Sequence, residues 1–131
     1  MKKYDYYCRH LKVLEGAKDE DLNNEFIISG IIDKFSIQFE LGWKVLKELL
    51  IYEGDQIGQA GSPRSIIKAA YHYFAFMDEE IWLEMLQERN NTIHIYHGGA
   101  AKELVRKILD CYIEEFRNLR IGIEERYDEI L

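Results

Sequence analysis

Proline is nearly absent from this sequence. Pro63 is its sole example among 131 residues, and that scarcity argues against a loop-rich all-β design. Cysteine is also scarce: Cys8 and Cys111 stand far apart and match no zinc or redox spacing. Two isolated thiols in a chain with no signal peptide predict a reducing cytoplasm and no disulfide. No apolar run reaches the roughly 20 residues that a membrane-spanning helix needs. The best candidate, Phe26 to Leu50, is interrupted by Asp33, Lys34, Glu40 and Lys44, so a soluble protein with no membrane partner is expected. Positive charge is not in excess either. The formal net charge is −7, which repels nucleic acid at long range, so phosphate chemistry would need a local basic spot. His10 and His72 have no partners at metal-ligand spacing. Glu40, Glu48 and Glu53 lack the Glu-x-x-His pairing of carboxylate-bridged metals. No metal or cofactor is expected, and those three carboxylates are expected on a solvated face.

What the chain does have is helical periodicity. At this length it is expected to form one domain, residues 1–131, with a real core. From Met1 to about Lys18, Tyr7, Leu11, Leu14 and Ala17 recur at three- and four-residue steps. After the connector "GAKDEDLNN", Asn23 or Asn24 is placed to cap a long helix reaching Glu53. Its stripe is Ile28, Ile32, Phe35, Phe39, Trp43, Leu46 and Leu50, widened by Ile27, Ile31, Leu41 and Val45. So broad an apolar face predicts more than one packing neighbour, and a second subunit is one candidate. "GDQIGQAGSPRS" breaks the helix, and Ser62-Pro63 restarts it as cap and first-turn proline. The third helix is expected from Pro63 to about Met77 and the fourth after an Asp78 cap, with Trp82, Met85 and Leu86 facing the core. Gly98-Gly99 interrupts again. A last helix from about Ala100 to Tyr127 carries Leu104, Val105, Ile108, Tyr112, Phe116, Leu119 and Ile123. Short connections between long helices predict an all-α, up-and-down bundle of four to five helices.

Polar side chains gather in "QERNNTIHIYHGG", Gln87 to Gly99. Arg89 continues the Trp82–Met85–Leu86 face, so its guanidinium must find a carboxylate, a phosphate or water. On an unbroken helix His94 would lie about 140° round from Arg89 and could not share an atom with it. Asn90, Asn91 and Thr92 are weak helix formers, so the helix is free to end there and bend His94 back. A two-fold dimer could also bring His94 of one subunit to Arg89 of the other. Such a pair suits metal-independent RNA cleavage, with histidine taking the 2′-hydroxyl proton and arginine steadying the phosphate. Judged on spacing alone, however, a helix-end ion pair with a capping histidine fits better than a catalytic pair. Lys102, Arg106 and Lys107 form a small basic patch that could draw phosphate, with Arg64 and Lys68 as further candidates nearby. His97 suits a loop role, and the glycines match no phosphate-binding loop.

The string Arg89-Asn90, three residues, His94-Ile95-Tyr96 resembles the signature of the HEPN superfamily. More narrowly it is similar to the HepT-like proteins encoded beside minimal nucleotidyltransferases, also called nucleotidyltransferase substrate-binding proteins. "FELGWKVLKELL" (Phe39 to Leu50), "GSPRSIIKAA" (Gly61 to Ala70) and "IWLEMLQERNNTIHIY" (Ile81 to Tyr96) follow the family's order and spacing. The resemblance implies a homodimeric bundle acting as toxin in a toxin–antitoxin pair, with a ribonuclease site built across the dimer. It implies Arg89 and His94 as catalytic, Asn90 as supporting, and Tyr96 as acceptor of AMP from the nucleotidyltransferase partner. Lys102 and Arg106 are the candidate phosphate contacts, with RNA or a nucleotide as ligand. The alternative is a non-catalytic subunit presenting substrate or nucleotide to that enzyme. Two stretches depart from the family pattern. Lys34-Phe35-Ser36 replaces an Arg-Phe-Glu, and His97-Gly98-Gly99 replaces the acidic residues that follow the tyrosine.

Overall fold

The computed structural model describes residues 1–95 and 98–130, and among them the chain is all-helical without a strand. Helix α1, Lys2–Glu15, buries Tyr4, Tyr7, Leu11 and Leu14, then tightens into a 3₁₀ turn, Gly16–Asp19, that buries Ala17. Asn24 caps the 28-residue helix α2, Glu25–Tyr52, by accepting from the backbone N–H of Phe26 (2.9 Å) and Ile27 (3.3 Å). At ~1.5 Å per residue this helix is roughly 42 Å long. It packs on α1 and on each of the helices that follow up to α6, all within one chain. These neighbours bury most of its stripe, while Phe26, Ile37, Ile51 and Tyr52 of α2 stay exposed.

The stripe differs from expectation at one point. Gly42, not Trp43, lies at the centre of the buried face, and Trp43 is half-buried at its edge. A Cβ on Gly42 would fall 2.8 Å from Cη2 of Trp82, so α2 gives up a side chain there to admit the fourth long helix's indole.

Gly54, at φ +83°, turns the chain out of α2. A short helix α3, Ile57–Ala60, follows inside what the sequence suggests is only a break. Ser62 accepts from the N–H of Ser65 at 3.3 Å and Pro63 opens α4, Pro63–Tyr73, as expected. That helix ends four residues before Met77. Phe74 leaves it at φ −123°, ψ 100°, which lets Phe74 and Met77 both turn into the core and brings Phe76 against Gly122. A helix continued to Met77 could not direct all three rings and side chains inward. Asp78 then caps α5, Glu79–Asn91, by accepting from Ile81 N–H at 3.2 Å.

The last rod starts at Gly98, whose φ of +78° suits only glycine. It runs as α6, Gly98–Lys107, a π-helical turn, Ile108–Tyr112, and α7, Ile113–Arg126. All seven expected core residues along it are buried. Ile108, Tyr112 and Phe116 recur at four-residue steps, which overshoot an α-turn by about 40° each. The wider π turn takes up that drift and keeps the three on one face.

Long-range contacts fix the directions. Tyr4 donates to Glu124 (3.0 Å) and Tyr7 to the Phe116 carbonyl (2.7 Å), so α1 runs antiparallel to α7. Lys3 meets Glu48 at 3.6 Å and His10 meets Gln38 at 2.7 Å, so α1 is antiparallel to α2 as well. Trp82 reaches Glu115 and Lys107 reaches Glu88, setting α5 antiparallel to the last rod.

Glu115 is buried in this core and accepts from the Asp78 N–H (2.9 Å) and from Trp82 Nε1 (3.1 Å). Burial raises its pKa above 4.5, although the hydrogen bonds oppose the shift. A carboxyl with a raised folded value contributes stability below its ordinary pKa and loses it as pH climbs through the raised value. Urea unfolding should therefore show the wild type losing stability relative to Glu115→Gln as pH rises from 4.5 toward neutrality. Parallel pH profiles for the two proteins would refute this.

Candidate functional site

Arg89 lies on the last turn of α5, one step beyond Trp82, Met85 and Leu86, and its side chain is 28% exposed. Its guanidinium carbon sits 5.6 Å over the ring of Phe39, and Nη1 is 3.2 Å from Glu40 Oε2. The carboxylate that the helix face demands is thus supplied by α2. Glu40 is shared: Lys44 reaches its other oxygen at 3.4 Å. Arg89 Nε is buried with no hydrogen-bond partner among the described residues. Five N–H donors held by one carboxylate leave this arginine with bonding capacity to spare.

Helix α5 stops where its weak formers predict. Thr92 donates its hydroxyl to the Arg89 carbonyl at 2.9 Å, and the chain tightens into a 3₁₀ turn, Thr92–His94. His94 stands exposed on that turn. No hydrogen bond joins His94 to Arg89 among the described residues of one chain. Tyr96 and His97 lie outside the described residues.

Asn90 is exposed beside Arg89, and both open onto a groove of about 1020 Å³. The start of α4 forms its other wall, with Ser62, Pro63 and Arg64 facing Gln87 and Asn91 of α5. The second and third family-like blocks therefore meet in space at this groove.

The basic patch on α6 is only partly available. Arg106 is paired with Glu103, and Lys107 is tied to α5 through Glu84 (3.5 Å) and Glu88 (3.9 Å). Lys102 is exposed. Arg64, named from the sequence as a further candidate, lines the groove with Arg89.

Glu40 is the residue that sequence reasoning missed. It reads as one of three solvated carboxylates, and nothing local in the sequence marks it, although Arg89 covers the ring of its neighbour Phe39. The other two are also engaged: Glu48 pairs with Lys3, and Glu53 accepts from the Tyr127 hydroxyl at 2.6 Å and faces Arg126 at 3.6 Å. His10 is satisfied by Gln38, whose amide donates to the Tyr7 carbonyl at 3.1 Å. Among the described residues, no three His, Cys, Asp or Glu side chains gather as a metal site, and both cysteines are free. No helix among them is long and apolar enough to cross a membrane.

Comparison with known proteins gives two findings. A family described as "Nucleotidyltransferase substrate binding protein like" matches residues 2–125. A relative from Haemophilus influenzae, strain Rd, carries the name "Probable ribonuclease HepT" and is 31% identical over 91 residues. That alignment covers 67% of this chain and 62% of the relative.

Proposed function

This chain belongs to the nucleotidyltransferase substrate-binding-protein-like family, and from that premise we propose that it is the HepT-like partner of a minimal nucleotidyltransferase. In this reading it is the toxin of a toxin–antitoxin pair, acting in the cytoplasm as a metal-independent endoribonuclease. The observation that carries the proposal is Arg89. An arginine half-buried over Phe39, with donors unspent, opens on a groove at the point where α5 breaks and exposes His94.

The chemistry follows from the two side chains. His94 takes the proton of a ribose 2′-hydroxyl, and the 2′-oxygen attacks the adjacent phosphorus. A new P–O2′ bond forms as the P–O5′ bond breaks, leaving a 2′,3′-cyclic phosphate and a 5′-oxygen that becomes a hydroxyl by taking a proton from water, while His94 returns its proton to water. Arg89 holds the non-bridging oxygens, where negative charge builds. Asn90 supports the phosphate from the same groove wall, and Lys102 adds positive charge outside it. Arg106, although tied to Glu103, belongs to that outer field. In this reading the functional unit is a homodimer in which His94 of one subunit meets Arg89 of the other.

The nucleotidyltransferase silences the site by attaching AMP to Tyr96, two residues from His94. The phosphodiester adds charge and bulk where substrate phosphate must sit.

Purified protein incubated with RNA in EDTA should yield fragments with cyclic phosphate ends, and His94→Ala should yield none. Equal inactivity of both would sink the ribonuclease. Co-expression with the nucleotidyltransferase should raise the intact mass in units of AMP. If Tyr96→Phe gains as much mass, the tyrosine is not the acceptor.

A second reading is favoured by the Arg89–Glu40 pair, which engages one end of the guanidinium. In that reading the chain is a non-catalytic subunit whose groove presents substrate or nucleotide to the enzyme.

A further inference from the structure

The groove between α4 and α5 holds a second arginine that the catalytic pair does not use. We infer that Arg64 is a substrate-binding residue, and that the groove seats a short length of single-stranded ribose–phosphate backbone between Arg64 and Arg89. The inference builds on the reading of RNA as the ligand.

Four observations carry it. Arg64, at the start of α4, is exposed, lines the same groove as Arg89 and Asn90, and forms no ion pair among the described residues. Its charge is therefore unspent, unlike those of Arg106 and Lys107 on α6, which face their own carboxylates. The groove spans α5 from Glu80 to Asn91, which at ~1.5 Å per residue is roughly 16 Å, enough for two or three nucleotides. Pro63, Leu83 and Leu86 supply apolar wall on which ribose or base faces can lie.

Charge along the groove sets where phosphates can lie. Arg64, Arg89, Asn90 and Asn91 cluster where α4 begins and α5 ends, whereas Glu80 and Glu84 line the start and middle of α5. Glu84 is partly neutralised, since it accepts from Tyr112 at 2.9 Å and faces Lys107. Glu80 is exposed and repels phosphate. Phosphates are thus confined to the arginine end, so the strand makes few backbone contacts there. An acidic protein with so short a cationic footprint should bind RNA with a shallow salt dependence.

Fluorescence anisotropy with a labelled single-stranded oligoribonucleotide of about 12 nucleotides tests this. The His94→Ala protein, which holds substrate without cutting it, is the parent. Adding Arg64→Ala should weaken binding roughly tenfold and reduce the slope of log affinity against log salt by about 0.7, one phosphate's share on a single strand. Arg64→Lys should restore most of the slope, because it keeps the charge, and less of the affinity, because it loses the fork. Lys12→Ala, an equal charge change on α1, should leave both unchanged.

The inference fails if Arg64→Ala behaves as Lys12→Ala does, or if the parent binds no RNA. It also fails if Arg64→Ala loses capture of the nucleotidyltransferase while RNA binding is unchanged; the groove would then belong to that protein. The two readings can fail separately. Arg64-dependent binding with intact RNA in the wild type would overturn the ribonuclease and leave the groove. Cleavage and binding indifferent to Arg64 would do the reverse.

Discussion

Arg89→Ala should lower the rate of RNA cleavage by roughly 10² to 10³, the usual loss when one donor to a developing oxyanion is removed. His94→Ala should cost about 10² to 10⁴, the range for a general base. Neither change should threaten the fold. His94 is exposed, and Arg89 offers Glu40 a partly exposed ion pair of a kind worth at most about 1 kcal/mol. Lys44 still faces Glu40 once the arginine is gone. Arg89→Lys should recover little, since an ammonium lacks the paired donors that match a phosphate edge.

The sharper result comes from co-expressing the two dead variants. If each site takes Arg89 from one subunit and His94 from the other, an Arg89→Ala/His94→Ala heterodimer keeps one complete site. Random pairing makes half the dimers heterodimers, so activity should return to about a quarter of wild type. A mixture as inactive as its parents would place both residues in one chain's site, or in none.

How much of this was legible along the chain depends on how local the cause is. The caps Asn24, Ser62 and Asp78 act within three residues, and each falls where turn chemistry predicts. The end of α5 at Asn91 is local too, set by residues that favour turns over helix. Arg89's burial follows from a three-residue step beyond Leu86. By contrast, Glu40 becomes Arg89's partner only because α5 packs on α2, and nothing near position 40 encodes that. Arg64 joins the groove for the same kind of reason: two segments more than twenty residues apart must first fold together. Phe74 leaves α4 early to satisfy packing against α7, which local propensity cannot foresee. The π turn likewise answers the spacing of Ile108, Tyr112 and Phe116 against their neighbours. Local chemistry thus marked the place of the candidate site, and tertiary packing assembled its polar surroundings.

Trp82→Ala should have the largest effect on stability, because that indole joins three parts of the core. It is fully buried, lies 5.8 Å from the rings of both Phe39 and Phe116, and donates Nε1 to buried Glu115. Truncation should cost about 4 kcal/mol from lost packing and the cavity left behind. Glu115 would also lose a donor to its buried carboxylate, and that adds to the loss. Against a total of roughly 7 to 20 kcal/mol for a chain of this size, such a change removes from about a fifth to more than half of the stability.

Gly42 gives the control that ties this cost to geometry. In the wild type, Gly42→Ala drives a Cβ to 2.8 Å from Trp82 Cη2, and the ring, pinned by Glu115, has no room to yield. About 1–3 kcal/mol of overpacking should follow, offset only in part by the better helix propensity of alanine. In the Trp82→Ala protein the same methyl enters vacated space. Gly42→Ala should then be neutral or stabilising, so urea unfolding of the four proteins should give a coupling of about 1–3 kcal/mol. Strict additivity would mean that the glycine is not there to admit the indole. Because Phe39 lies between Trp82 and Arg89, the Trp82→Ala protein should also bind RNA more weakly even where it remains folded. The ring under the guanidinium, Phe39, rests on the indole that joins the core.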